Sequence, residues 1–166
     1  MGILKISDFY YGAFLSALLN TPGGRPSLFD ETSSRRIYRL ETNNNEDTYF
    51  FTKYTSGKEN KTGFHWVFKF TSAEIDKLKE LHHEKGKVQV VLIGIKDGFA
   101  DSEIAIVDYN TAMKCLGVEA GVKGYRINLK AIENERKLRV YGSGLSDILN
   151  GKDNTFKIPR NALATL

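Results

Sequence analysis

Residues 88–95 read Val-Gln-Val-Val-Leu-Ile-Gly-Ile, an almost continuous apolar run of strand length. A strand with one wet face alternates apolar and polar residues. This run does not, so it must be covered on both faces and is the central strand of a sheet. A chain of 166 residues, with 41% hydrophobic and 27% charged residues, is the size of one ordinary domain and can bury such a strand without disulfides or metal.

The elements around that strand follow from local chemistry. Thr71-Ser72-Ala73-Glu74 is a capping box, in which the threonine oxygen and the glutamate carboxylate satisfy free amides at a helix start. Ile75, Leu78 and Leu81 continue it at helical spacing to Gly86. A first helix is expected from a Ser7 cap through Leu19, apolar on nearly every side and therefore buried or meeting a partner. Proline and glycine pairs turn residues 20–26 into a loop.

Strands are expected over 36–42, 48–55 and 63–70, separated by polar turns at 43–47 and 56–61, and the short connections predict a three-stranded antiparallel meander. Phe64, Trp66, Phe68 and Phe70 share one face of the third, and that face needs cover. Beyond the central strand come a strand at 103–108, a short helix carrying Met113 and Leu116 inward, strands at 125–130 and 137–141, and a turn-rich tail with one helical turn near 145–149. The fold class expected is α+β. One domain spans 1–166: a mixed, largely antiparallel sheet of about seven strands, an N-terminal buried helix, and a second helix between strands three and four. Residues 1–95 form the core, 96–141 add strands and a short helix, and 142–166 are the tail.

The order helix, three strands, helix, strand over roughly residues 7–95 resembles the core of the restriction-endonuclease-like, or PD-(D/E)xK, fold. The resemblance implies an acid on the second strand and an acid-x-lysine pair on the third. Asp47 stands at the head of the second strand and Lys69 lies on the third, but position 67 is Val, which leaves a divalent metal few oxygen ligands.

Composition excludes other chemistries. A single cysteine, Cys115, allows no internal disulfide and no four-thiolate zinc site, and predicts a reducing, cytoplasmic setting and a small buried hydrophobe rather than a nucleophile. Residues 1–7 lack the features of a signal peptide, and no segment approaches eighteen uninterrupted apolar residues, so no membrane association is expected. Gly142-Ser143-Gly144 lacks the lysine and helix of a phosphate loop, and Asp97, Asp101, Glu103 and Asp108 fit no metal-binding loop. No cofactor, metal ligand or catalytic residue is assigned. His82 and His83, adjacent on a helix, point about 100° apart and are read as surface residues.

The charge balance is mildly basic, 24 Lys plus Arg against 20 acids for a net +4. Arg25, Arg35 and Arg36 stand in one loop-to-strand segment, where guanidinium forks suit phosphate or carboxylate. In a meander, Lys53, His65 and Lys69 would gather on one sheet surface with Arg35 or Arg39. The same residues also compose an ordinary salt-bridged loop and a solvated sheet face. The function expected is a noncatalytic binding module acting on nucleic acid or on a nucleic-acid-processing protein, of bacterial or phage type by its Asn- and Lys-rich composition. Its partner is then nucleic acid or an acidic protein, and homo-oligomers remain open. The alternatives are an interaction subunit docking through its apolar helix and aromatic sheet, and a degenerate metal-dependent nuclease.

Overall fold

The computed structural model describes residues 3–43, 46–122, 124–160 and 162–165. Asn44 and Asn45 of the expected turn, and Asn161 and Leu166 of the tail, lie outside them. In chain order the elements are α1 (Ile6–Leu19), β1 (Arg25–Glu31), β2 (Arg36–Glu41), β3 (Thr48–Ser56), β4 (Lys58–Asn60), β5 (Gly63–Lys69) and α2 (Ser72–Lys85). They continue with β6 (Val88–Ile95), β7 (Glu103–Asp108), α3 (Tyr109–Leu116), β8 (Arg126–Ile132), β9 (Lys137–Gly142), β10 (Ile148–Leu149), β11 (Lys152–Asp153) and β12 (Phe156–Pro159).

The apolar run at 88–95 does become an interior strand. β6 lies between β3 and β7 in a five-stranded sheet of order β1-β2-β3-β6-β7, parallel to β3 and antiparallel to β7. Its Val91, Ile93 and Ile95 meet Tyr11, Phe14 and Leu18 of α1 on one face. Val88, Val90 and Leu92 enter a larger core on the other. Each face of the run thus has its own apolar cover, as the lack of alternation requires.

The larger core is roofed jointly by α2, α3 and a second sheet. That sheet is antiparallel throughout, in the order β12-β9-β8-β5-β4. Trp66 and Phe68 of β5, Ile127 and Leu129 of β8, and Leu138 and Val140 of β9 point inward onto the first sheet. Ile75, Leu78 and Leu81 of α2 and Cys115 of α3 complete the packing. Burial pushes the Cys115 thiol up to about 12, with Asp108 adding to the shift, so the group stays protonated at neutral pH and acts as a small apolar side chain.

Two expectations need correcting. The described residues hold twelve strands in three sheets, not about seven strands in one. The meander also has different members, because β1 pairs with β2 while β5 leaves for the second sheet. Pro26 made β1 look like a loop, yet β1 is an edge strand, where a missing N–H costs no ladder bond.

The switch between sheets occurs at Gly57, directly after β3. A Cβ there would lie 2.4 Å from Trp66 Nε1, and one at Gly94 would lie 2.7 Å from the same ring, so only glycine lets the indole lie against both backbones. Trp66 is fully buried and donates Nε1–H to the Ile95 carbonyl at 3.0 Å.

Smaller differences are local. α1 starts two residues earlier than a Ser7 cap would place it, with Lys5 at the cap position and its amide donating to the Asp8 carboxylate at 2.8 Å. Near 145–149 there is no helical turn. β10 and β11 form a hairpin closed by Asn150 (φ 54°) and Gly151 (φ 75°), both left-handed. The α2 capping box is present as read: Thr71 Oγ1 accepts from the Glu74 amide at 3.1 Å, and Glu74 Oε1 accepts from the Thr71 amide at 2.9 Å.

Trp66→Ala should destabilise the chain by about 3–5 kcal/mol, because it leaves a cavity between the sheets and an unpaired carbonyl. A urea-unfolding midpoint unchanged from wild type would contradict this account of the joint.

Candidate nucleic-acid interface

The six residues singled out by sequence do not gather in one place. Arg25 is exposed on the edge strand, 3.6 Å from Glu41. Arg36 on β2 reaches inward to α1, paired with Asp8 at 2.5 Å and Glu31 at 3.2 Å, its guanidinium 4.7 Å from the Tyr11 ring centre.

Arg35 and Lys53 belong to a second place, a closed polar cluster where the β1–β2 turn meets the start of α2. Lys53 is 6% exposed, and its Nζ donates to Glu74 Oε2 at 2.6 Å while lying 5.0 Å from the Phe70 ring centre. The same carboxylate oxygen accepts from Ser34 Oγ at 3.3 Å. Arg35 is equally buried; its Nη2 donates to Asp30 at 3.1 Å, and its Nε and Nη1 have no hydrogen-bond partner among the described residues. Burial lowers the Lys53 ammonium below the ordinary lysine range, with Glu74 pulling it upward and Arg35 pushing it further down. Lys53 and Glu74 thus pair out of reach of bulk water, whereas the Asp30 carboxylate that takes Arg35 is 40% exposed.

The third place is the outward face of the second sheet, which holds His65 and Lys69. Because strand side chains alternate, the residues between the core positions of β5, β8 and β9 all point away from the core. The register aligns them. Lys58 is opposite His65, His65 opposite Lys130, Lys130 opposite Arg139 and Arg139 opposite Lys157, so one row crosses all five strands. Lys69 is opposite Arg126 four residues along, and Lys137 shares the outward side of β9 with Arg139. At strand spacing the row spans roughly 19 Å, the axial rise of about five or six nucleotides of one strand.

Carboxylates answer part of this charge. Lys130 Nζ lies 2.8 Å from Asp147, and Arg139 lies 2.6 Å from Glu135 and 2.9 Å from Asp153. Burial works against the Lys130 charge, yet Asp147 and Tyr141 hold its ammonium above the ordinary lysine range. Lys58, Lys69, Arg126 and Lys137 are exposed, and none has a carboxylate within 4.0 Å among the described residues.

Near the middle of the face, His65 Nε2 lies 3.2 Å from the Tyr141 hydroxyl and 3.4 Å from Asn128 Nδ2. Tyr141 is only 9% exposed, so its ring is no platform for stacked bases. What the face offers is fixed positive charge and hydrogen-bond donors suited to phosphate.

The expected grouping of Lys53 with His65 and Lys69 does not form, since Lys53 lies in the first sheet against α2. Sequence reasoning also missed Lys58, Arg126, Lys130, Lys137, Arg139 and Lys157. A signal for several of them was present: Arg-Ile-Asn-Leu-Lys at 126–130 and Lys-Leu-Arg-Val-Tyr at 137–141 both alternate polar with apolar residues. No group of three or more His, Cys, Asp or Glu able to hold a metal occurs among the described residues, and no helix there is long and apolar enough to cross a membrane. Comparison with known proteins finds no matching family model and no significant match to a curated protein or a solved structure.

Lys53→Met or Glu74→Leu alone should each cost about 3–5 kcal/mol by stranding a buried charge, whereas the double variant should cost much less than their sum. Additive losses in denaturant titrations would show that the two groups are not coupled. Burial, reinforced by Lys130 and opposed by Asp147, lowers the His65 pKa below its ordinary value. The unfolded chain therefore takes up this proton first as pH falls, and the stability contributed by neutral His65 is complete above about 6.5 and lost below it. His65→Gln should flatten the acid side of the stability–pH curve as pH falls below about 6.5. An unchanged curve would exclude His65 as a source of that slope.

Proposed function

We propose that this chain is a noncatalytic binding module that docks the phosphate backbone of nucleic acid on the outward face of its second sheet. The observation that carries the reading is the cross-strand row Lys58, His65, Lys130, Arg139 and Lys157, flanked by Lys69 and Arg126. Basic side chains held in register on a rigid sheet meet a polyanion with little ordering cost, and phosphate contacts supply most sequence-independent affinity.

The resemblance to the restriction-endonuclease-like arrangement remains part of this proposal. It is supported by the succession α1, β1, β2, β3, α2, β6, interrupted between β3 and α2 by β4 and β5 of the second sheet, with β3 and β6 parallel neighbours. Under that correspondence the lysine of the third strand is Lys53, and the position two before it is Phe51 where an acid would belong. Glu74 binds the Lys53 ammonium and Asp30 binds Arg35. Carboxylates engaged in this way favour a noncatalytic reading over a magnesium-dependent nuclease.

Fluorescence anisotropy with labelled single-stranded DNA, duplex DNA and RNA tests the proposal. Binding should be measurable at low salt and should weaken linearly in log affinity against log salt. Lys69→Glu with Arg126→Glu should lower affinity at least about tenfold and reduce the salt slope by about 2, while Arg25→Ala should change neither much. No binding at low salt, or full binding by the charge-reversed variant, would overturn the assignment.

A further inference from the structure

The opposite side of the molecule carries a surface that the phosphate-binding reading does not use. Ahead of α1, Ile3 and Leu4 are 91% and 75% exposed, and Ile6 and Phe9 on the outward flank of the helix are 61% and 64% exposed. Across from them the β6–β7 loop holds Phe99 60% exposed. Its backbone is in the left-handed region at φ 62°, where bulky side chains are rare. The Tyr10 ring lies 5.6 Å from Phe99, and a groove of about 680 Å³ runs between helix and loop over Ala13, Ile93 and Ile95. Single exposed apolar residues are ordinary; three large ones lining one apolar groove, with two more on the chain just ahead of its helix, mark a contact surface.

We infer that this groove is a two-fold interface between two copies of the chain, in which Ile3 and Leu4 of each copy fill the groove of the other. Three features favour a second copy over an unrelated partner. The patch carries both the protruding residues and the recess, which is what an isologous contact requires. Both signs of charge flank it: Lys5 at the start of α1, and Asp97 and Asp101 on the Phe99 loop, where they line an adjoining polar recess, are exposed and have no ion pair within 4.0 Å among the described residues. A two-fold axis sets the lysine of each copy against the aspartates of the other. The large side chains involved present about 600 Å² per copy, and twice that reaches the lower bound of standard stable interfaces.

Sedimentation velocity on the full chain over a concentration series tests the inference. The wild type should pass from monomer to dimer, and Phe9→Asp or Phe99→Asp should sediment as a monomer while keeping the wild-type circular dichroism spectrum. Lys5→Asp alone should weaken the dimer at least about tenfold, and combining it with Asp97→Lys and Asp101→Lys should restore it, which indiscriminate apolar clustering would not do. This charge exchange leaves the apolar residues untouched, so it decides the matter even if the aspartate variants fail to fold. A wild type that stays monomeric throughout, a dimer indifferent to Phe9→Asp and Phe99→Asp in folded protein, or an association that the charge exchange neither weakens nor restores would each overturn the interface.

Discussion

The indole of Trp66 is the joint on which the two sheets depend. β3 ends the chain's first passage through the inner sheet, and within ten residues the chain must reappear facing that sheet from the other side of the core. The ring lies flat against the backbones of Gly57 and Gly94, touches Phe64 at a centroid distance of 5.0 Å, and ties its one polar atom to the last residue of β6. A large apolar ring gains most where water is fully excluded, and its N–H must find a partner there. The Ile95 carbonyl at a strand end is such a partner. One side chain therefore fixes where β5 sits relative to β6, and the register of the second sheet follows outward from β5.

That register decides which lysines can meet a ligand. Lys53 and Lys69 look alike in sequence, each at the polar end of an aromatic strand. On β3 the inner face carries Phe51 and Lys53 toward α2, so this ammonium is buried and needs the Glu74 carboxylate. On β5 the inner face carries Trp66 and Phe68, which leaves Lys69 outside beside Arg126. The alternation of two residues is the same in both strands. What differs is whether the even or the odd set meets the core.

The parts legible in the sequence were those written by local chemistry. The α2 capping box, the unalternating run of β6 and the alternating strands β8 and β9 each carry their signal within a few residues. The mixed α and β character followed from these. What could not be read was set by partners far along the chain. Pro26 argues against a strand unless the strand is known to be an edge, and the short turn after β3 argues for a hairpin unless Gly57 is known to face Trp66. The site was split for the same reason: His65 and Lys69 were visible as basic residues on a strand, but apart from Lys58 their neighbours on that face, from Arg126 to Lys157, lie 57 to 92 positions later and enter only through strand pairing. Lys53 was misplaced because its partner, Glu74, was read only as a helix cap. It serves both roles, with Oε1 on the Thr71 amide and Oε2 on Lys53.

The layering has a consequence for the two proposed surfaces. α1 covers one face of the first sheet, the second sheet covers much of the other, and the basic row lies beyond that second sheet. The apolar groove lies on the α1 side of the first sheet and the basic row on the outward side of the second, and the two share no residue, although the loop that carries Phe99 also borders a polar recess with Glu59 of β4. A two-fold pairing through the groove would leave both basic rows uncovered, since none of their residues lines it. Two such faces on one nucleic acid strand or duplex bind with an effective concentration set by their rigid separation, so modest affinity per face becomes strong avidity where the ligand is long enough to reach both. A ligand spanning only the roughly 19 Å of one row would gain nothing from the pairing. Length dependence is therefore the physical link between two surfaces that make no contact with each other.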